Sequence, residues 1–239
     1  MSYHYPETHL NQIVGTGYDE TLGAVLRQVY LWMTLGLFTT AGIAAVISVS
    51  PLFSALTGQP WLFFILLIAE LALVIGVSWG INRISSSTAI LLFMAYAILN
   101  GLTLSVLFVV YSLGSITYTF LASAALFGIM SIIGYTTRMD LTKVGSFLLM
   151  GIIGLVIAMV VSMFWANSTL GWIITFIGII LFLGLTVYDT QRIKRMTTVA
   201  MQQGDVGIEA RLGILGALSL YLDFINLFLF MLRLGGRRR

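Results

Sequence analysis

Three carboxylates, Glu70, Asp189 and Asp223, lie within or at the edge of long apolar runs, where an ionised side chain is costly and usually faces a bundle interior or a water-filled path. Asp223 has polar company on its own helix face. Gly216, Ser219, Asp223 and Asn226 recur at helical spacing, a small and polar stripe on a cylinder otherwise made of Leu, Ile and Phe. Tyr96, Asn100 and Thr103 form a second such face in an earlier run. Polar stripes of this kind also hold helices together, but Ser and Asn suffice for that and Asp carries a larger penalty. The basic groups available to neutralise the acids, Arg83, Arg192, Lys194, Arg195, Arg211 and Arg233, all stand near the ends of the apolar runs. Arg is the better partner for a buried carboxylate, because its charge persists and its fork matches two oxygens. Three acids without a base at their own depth point to protonation or cation binding.

The elements that must carry these residues are membrane helices. Of 239 residues 59% are hydrophobic and only 9% charged, which excludes a soluble domain. Seven apolar runs of helix-spanning length stand at about 29–48, 61–81, 88–107, 116–135, 144–165, 170–188 and 212–232. The expected class is therefore all-α and polytopic, with a polar tail over 1–26, a seven-helix membrane domain over 27–234 and a basic tail over 235–239. The absence of cysteine excludes disulfides and thiol chemistry, and His4 and His9 both lie in the N-terminal tail, away from the bundle. No tightly bound cofactor is expected. Residues 1–26 lack the charged and apolar regions of a signal peptide, so the first run should be a retained helix. The basic residues form no patch that could grip nucleic acid, and the lipid bilayer is the expected partner of a single chain acting as a monomer.

Charge asymmetry orients the chain. The N-terminal tail and the connections after the second, fourth and sixth runs hold Arg27, Arg83, Arg138, Lys143, Arg192, Lys194, Arg195 and Arg211, whereas the intervening connections hold no Lys or Arg. The positive-inside rule then places the N-terminus in the cytoplasm. Seven crossings leave Arg233 and Arg237–Arg239 outside, against the rule, so either that tail tolerates the far side or the last run does not cross completely. Short loops favour a bacterial inner membrane.

Tyr188-Asp189 followed by Gln191 and a basic cluster, and Ser219-Leu220-Tyr221-Leu222-Asp223-Phe224-Ile225-Asn226-Leu227-Phe228, resemble the Bax inhibitor family, as does the seven-span plan. The resemblance implies a bundle with the last helix central. It also implies a pH-sensitive calcium leak in which Asp189 and Asp223 form a two-carboxylate sensor able to meet Ca²⁺. Glu70 and Arg83 resemble family residues near the pathway; Ser219, Asn226 and Asn100 are candidates to line it. The connection from Arg192 to Arg211 looks longer than in compact prokaryotic members. Counted along the apolar runs, Asp189 and Asp223 differ in depth by roughly 16 Å, a gap that closes if the sixth helix continues past its run.

Other functions weigh less. A retinal protein needs a lysine inside the membrane, and Lys143 and Lys194 sit in connections. An intramembrane aspartyl protease would need glycines before its second aspartate, where Leu220-Tyr221-Leu222 stands instead. The chain is read as no enzyme. The alternative to a leak is a non-conducting regulator of a membrane protease or of a stress or cell-death complex.

Overall fold

The computed structural model describes residues 7–80, 84–165, 168–203 and 208–237. In chain order its helices are α1 (Glu7–Ser48), α2 (Pro51–Gly58), α3 (Pro60–Gly80), α4 (Ser86–Leu104), α5 (Leu107–Val110), α6 (Leu113–Thr136), α7 (Thr142–Phe164), α8 (Ser168–Gln202) and α9 (Ile208–Gly235). Seven spans are long and apolar enough to cross a membrane, α5 serving as the last turn of the α4 span. The short elements and breaks follow from local chemistry. Pro51 opens α2 at a position where its missing N–H costs nothing. Ser85 and Ser112 cap α4 and α6, their hydroxyls accepting from the amides of Thr88 (3.2 Å) and Ser115 (3.3 Å).

Two helices differ from the expected bounds. α1 begins at Glu7, far ahead of the apolar run, and Leu22 and Val25 are already buried, so the packed bundle reaches back across the expected boundary at residue 27. α8 runs 35 residues, well past the apolar run that ends near 188, and projects the basic cluster beyond the membrane core.

The last helix is the axis of the bundle. Of its apolar window 67% is buried, against 11% for the spans in α3 and α7, which lie at the periphery. α9 packs against α1, α3, α4, α6 and α8. It is continuous through Asp223 and crosses completely. Its end is tied to the start of α6, where the Ser112 amide donates to the Arg237 carbonyl (3.2 Å) and the Arg237 amide to Ser115 Oγ (2.9 Å). Three spans precede that point, so the start of α1 and the end of α9 lie on opposite faces of the bundle.

Lipid tails are as apolar as the helices, so association rests on close packing and on polar contacts between helices. Edge-to-face rings seat α9: Tyr221 against Phe93 and Tyr96 (centroids 5.6 Å apart in each pair) and Phe224 against Phe120 (5.2 Å) and Phe127 (5.5 Å). The α6–α8 crossing needs Gly134, because a Cβ there would lie 2.5 Å from the Val187 carbonyl oxygen and 2.9 Å from Thr190 Cβ. Gly216 on the α9 stripe is also closely packed, an added Cβ lying 2.8 Å from Val29 Cγ2 and 2.9 Å from Ile193 Cδ1. A Cβ at Gly76 or Gly154 would meet nothing within 4 Å.

Two glycines of α6 therefore predict opposite outcomes. Gly134→Ala should destabilise the protein by about 1–3 kcal/mol, because backbone cannot move aside as a flexible side chain can. Gly128→Ala, with nothing within 4 Å of its added methyl, should be neutral or stabilise by up to about 1 kcal/mol through helix propensity. Thermal unfolding in detergent compares them; equal effects would contradict the packing at the α6–α8 crossing.

Candidate functional site: two carboxylates lining one cavity

The length of α8 sets the depth of the site. Along the α8–α9 hairpin, Asp189 stands about 20 Å before the end of α8 at Gln202, and Asp223 about 22 Å after the start of α9 at Ile208. The apparent mismatch of roughly 16 Å thus falls to about 3 Å, because both helices continue past their apolar runs.

Both aspartates line one cavity of about 560 Å³ between α7, α8 and α9. The stripe on α9 supplies Ser219, Asp223 and Asn226, while α7 and α8 contribute apolar side chains such as Leu155, Met159 and Phe182. Arg233 closes the end nearer the C-terminus, its guanidinium lying beside Gly171 at the start of α8. Toward the opposite face a separate space of only about 10 Å³ lies among Asp189, Arg192, Ile193, Met196, Leu212, Gly216 and Ser219. Asp189 and Ser219 border both spaces. Asp189 therefore stands between the two, while Asp223 lines only the larger one.

Their surroundings differ. Asp223 is 4% exposed, and its Oδ2 is buried without a hydrogen-bond partner among the described residues. An orphaned buried oxygen is uncommon and calls for an ion, a water or a proton. Asp189 lies one turn from Arg192, with 3.9 Å between carboxylate and guanidinium, and the Arg side chain is half in solvent. Asn226 uses its amide nitrogen on the Leu222 carbonyl (2.8 Å).

Glu70 belongs to a separate network on the other side of α9. It is buried on α3 and accepts from Thr103 Oγ1 (2.9 Å) and Asn100 Nδ2 (3.4 Å). Asn100 Oδ1 in turn accepts from the Tyr221 hydroxyl (3.2 Å), which is also 2.6 Å from Thr40 Oγ1. The polar face of α4 thus meets Glu70 and Tyr221 and does not line the aspartate cavity. Arg83 lies outside the described residues.

Sequence reasoning did not single out Tyr221 or Thr40, both fully buried. Tyr221 carried one signal, a hydroxyl two residues from Asp223 on a face otherwise made of Leu and Phe. The residues after Asp189 act on a loop. Gln191 accepts from the Leu141 amide (3.0 Å) and donates to the Met139 carbonyl (2.6 Å), and Lys194 donates to the Tyr135 carbonyl (3.1 Å). Arg195 meets Thr142 and stands 3.9 Å from Asp140, whose carboxyl is held below the ordinary range by hydrogen bonds from Thr142 and, to a lesser degree, by this guanidinium. The basic cluster thereby fastens the α6–α7 connection to α8.

A seven-span α-helical bundle with its last helix central, and two carboxylates sharing a cavity beside that helix, defines an integral membrane protein built around buried acid. The chain belongs to the Bax inhibitor family: the family described as "Inhibitor of apoptosis-promoting Bax1" matches residues 22–239. It is 46% identical over 219 residues to the inner membrane protein YbhL of Escherichia coli (strain K12), covering 91% of this chain and 93% of the relative. It is 42% identical over 215 residues to a protein of Borreliella burgdorferi (90% and 92% of the two chains) and 41% identical over 214 residues to one of Deinococcus radiodurans (89% and 90%).

Proposed function

We propose that the chain is a pH-gated cation leak that passes Ca²⁺, with its N-terminus on the cytoplasmic side of a bacterial inner membrane. The observation that carries this reading is the orphaned Asp223 carboxylate, buried in a cavity it shares with Asp189. The E. coli relative's description as an inner membrane protein and the one-sided distribution of Lys and Arg support the location and the orientation.

Two carboxylates in a low-dielectric space do not both ionise while they stand close together, so the pair holds one proton and titrates as a unit. That proton supplies the partner that Asp223 Oδ2 lacks and ties α8 to α9. The proton-sharing state is the closed one, which agrees with the small size of the separate space beyond Asp189. Loss of the proton leaves two anions that repel each other, and α8 and α9 part. The sign follows: the proton stabilises the closed state at pH below the pair's upper titration, and that stabilisation is lost as pH rises through it. Arg192 and Arg233 face the pair from the two ends of the space and temper the repulsion without removing it.

Ca²⁺ is a hard cation that takes six to eight oxygens, and two carboxylates with the Ser219 and Asn226 oxygens offer fewer than a full cage. The arrangement suits an ion in transit that keeps part of its water. Arg233, at the mouth, adds a repulsive charge that any cation entering from that side must pass.

Liposomes holding the purified full chain and a Ca²⁺-sensitive dye test the leak. Flux should rise with pH, at most about tenfold per pH unit for release of one proton, and Asp189→Asn or Asp223→Asn should each flatten the profile. A wild-type-like profile in both variants would refute the sensor. No flux at any pH would favour a non-conducting regulator of a membrane protease or of a stress complex.

Orientation has its own test. Cysteines introduced singly at Ser2 and Thr198 should be shielded from an impermeant thiol reagent in intact cells. Labelling of both from outside would reverse the assignment.

A further inference from the structure

A second cavity, larger than the one between α7 and α9, lies on the opposite flank of the bundle. It is a cleft of about 850 Å³ between α1 and α6, floored by Phe224 of α9. Its walls carry no charged residue. On α6 the lining positions run from Leu113 to Tyr135 at helical spacing, about 33 Å of rise, which matches the hydrocarbon thickness of a bilayer. The cleft therefore faces lipid along its whole length, and in a membrane an apolar space of this kind does not stay empty of hydrocarbon.

The volume decides what fits. A helix about 10 Å across would need roughly 2,600 Å³ over 33 Å, some three times the space present. A flexible hydrocarbon tail needs far less width. The N-terminal-side end of the cleft is furnished differently from the rest. Tyr30 reaches across it to hydrogen-bond Ser131, which is itself 3.1 Å from Thr190 Oγ1. Lys194 stands at this end, its ammonium on the carbonyl of Tyr135 (3.1 Å) and over the Tyr135 ring (5.2 Å), with two of its three donors left over. Arg27 is exposed on α1, two and three turns before the lining residues Thr34 and Phe38 and on the same helix face. Two cations thus flank the end of an uncharged slot at the level of the headgroups.

From this combination we infer that the α1–α6 cleft is a binding site for one anionic phospholipid of the N-terminal-side leaflet. Its acyl chain lies against Gly128, Phe127 and Phe224, and its phosphate is held between Arg27 and Lys194. The open space beside Gly128, where an added Cβ would meet nothing within 4 Å, is the part of the wall that the chain covers. Because Phe224 is the neighbour of Asp223 and forms the floor, the bound chain also buttresses the central helix from the side opposite the carboxylates.

Native mass spectrometry tests the site. The full chain in detergent is offered equal amounts of phosphatidylglycerol and phosphatidylcholine with identical tails, together with palmitate. Wild type should retain one lipid, with phosphatidylglycerol preferred. Arg27→Gln and Lys194→Gln should each reduce that preference by about fivefold while still retaining lipid. Gly128→Trp and Thr34→Trp, which fill the cleft from its two walls, should lose the retained molecule. Leu121→Trp, on the outer face of α6, should keep it. The inference is overturned if wild type shows no preference for phosphatidylglycerol, if palmitate is retained in its place, or if both cleft-filling variants hold lipid as wild type does. It is also overturned if Leu121→Trp loses lipid as they do, or if the cleft proves to hold a second copy of the chain, seen as a dimer that Gly128→Trp abolishes.

Discussion

A carboxylate at the middle of the most buried helix, with one oxygen lacking a partner among the described residues, is the constraint on which the rest of this bundle depends. Lipid cannot satisfy Asp223, so it must be enclosed by protein, and enclosing it requires α9 to be surrounded. Five helices do this, and the aromatic contacts of Tyr221 and Phe224 fix the rotation of α9 so that Asp223 faces α7 and α8. The peripheral helices then complete walls. The cavity beside α7 exists because the stripe Gly216, Ser219, Asp223 and Asn226 presents small or polar side chains where a Leu face would have packed shut.

The same helix joins two polar systems that do not touch. On one side Asp223 shares a cavity with Asp189. On the other, Tyr221 connects through Asn100 to the buried Glu70. A rotation or tilt of α9 that separates the aspartates would also strain the Tyr221 contacts with Thr40 and Asn100. Those contacts are buried and tie α9 to α1 and α4. Each Glu70 oxygen accepts one hydrogen bond, from Thr103 and from Asn100.

Much of this was legible in the residues. The seven spans follow from hydropathy, and Asp189, Asp223 and the α9 stripe stand out because acid is rare in such runs. What hydropathy could not show is where helices end once they leave the membrane. The sixth run stops near residue 188, but α8 continues because Gln191, Lys194 and Arg195 bind the α6–α7 connection and sustain a helix that lipid does not. That extension brings the aspartates level, which a count along the apolar runs had put roughly 16 Å apart. Close packing was not legible either: Gly134 bears the α6–α8 contact with Val187 and Thr190, whereas Gly76 and Gly154 lie open. Spacing within one helix does not reveal which neighbour faces it. The hydroxyl of Tyr221 was hidden by the same limitation, its partners Thr40 and Asn100 being far away in sequence.

The central claim is that Asp189 and Asp223 hold a single proton between them in the closed state. Infrared difference spectroscopy of the full chain in a bilayer, taken between low and high pH, reads that proton through the carbonyl stretch of a protonated carboxylic acid. The account predicts such a band at low pH that disappears as pH rises, shifts in frequency and in pH midpoint in both Asp189→Asn and Asp223→Asn, and persists unchanged in Glu70→Gln. A band unaltered in both aspartate variants, or lost only in Glu70→Gln, would place the proton elsewhere and contradict the account.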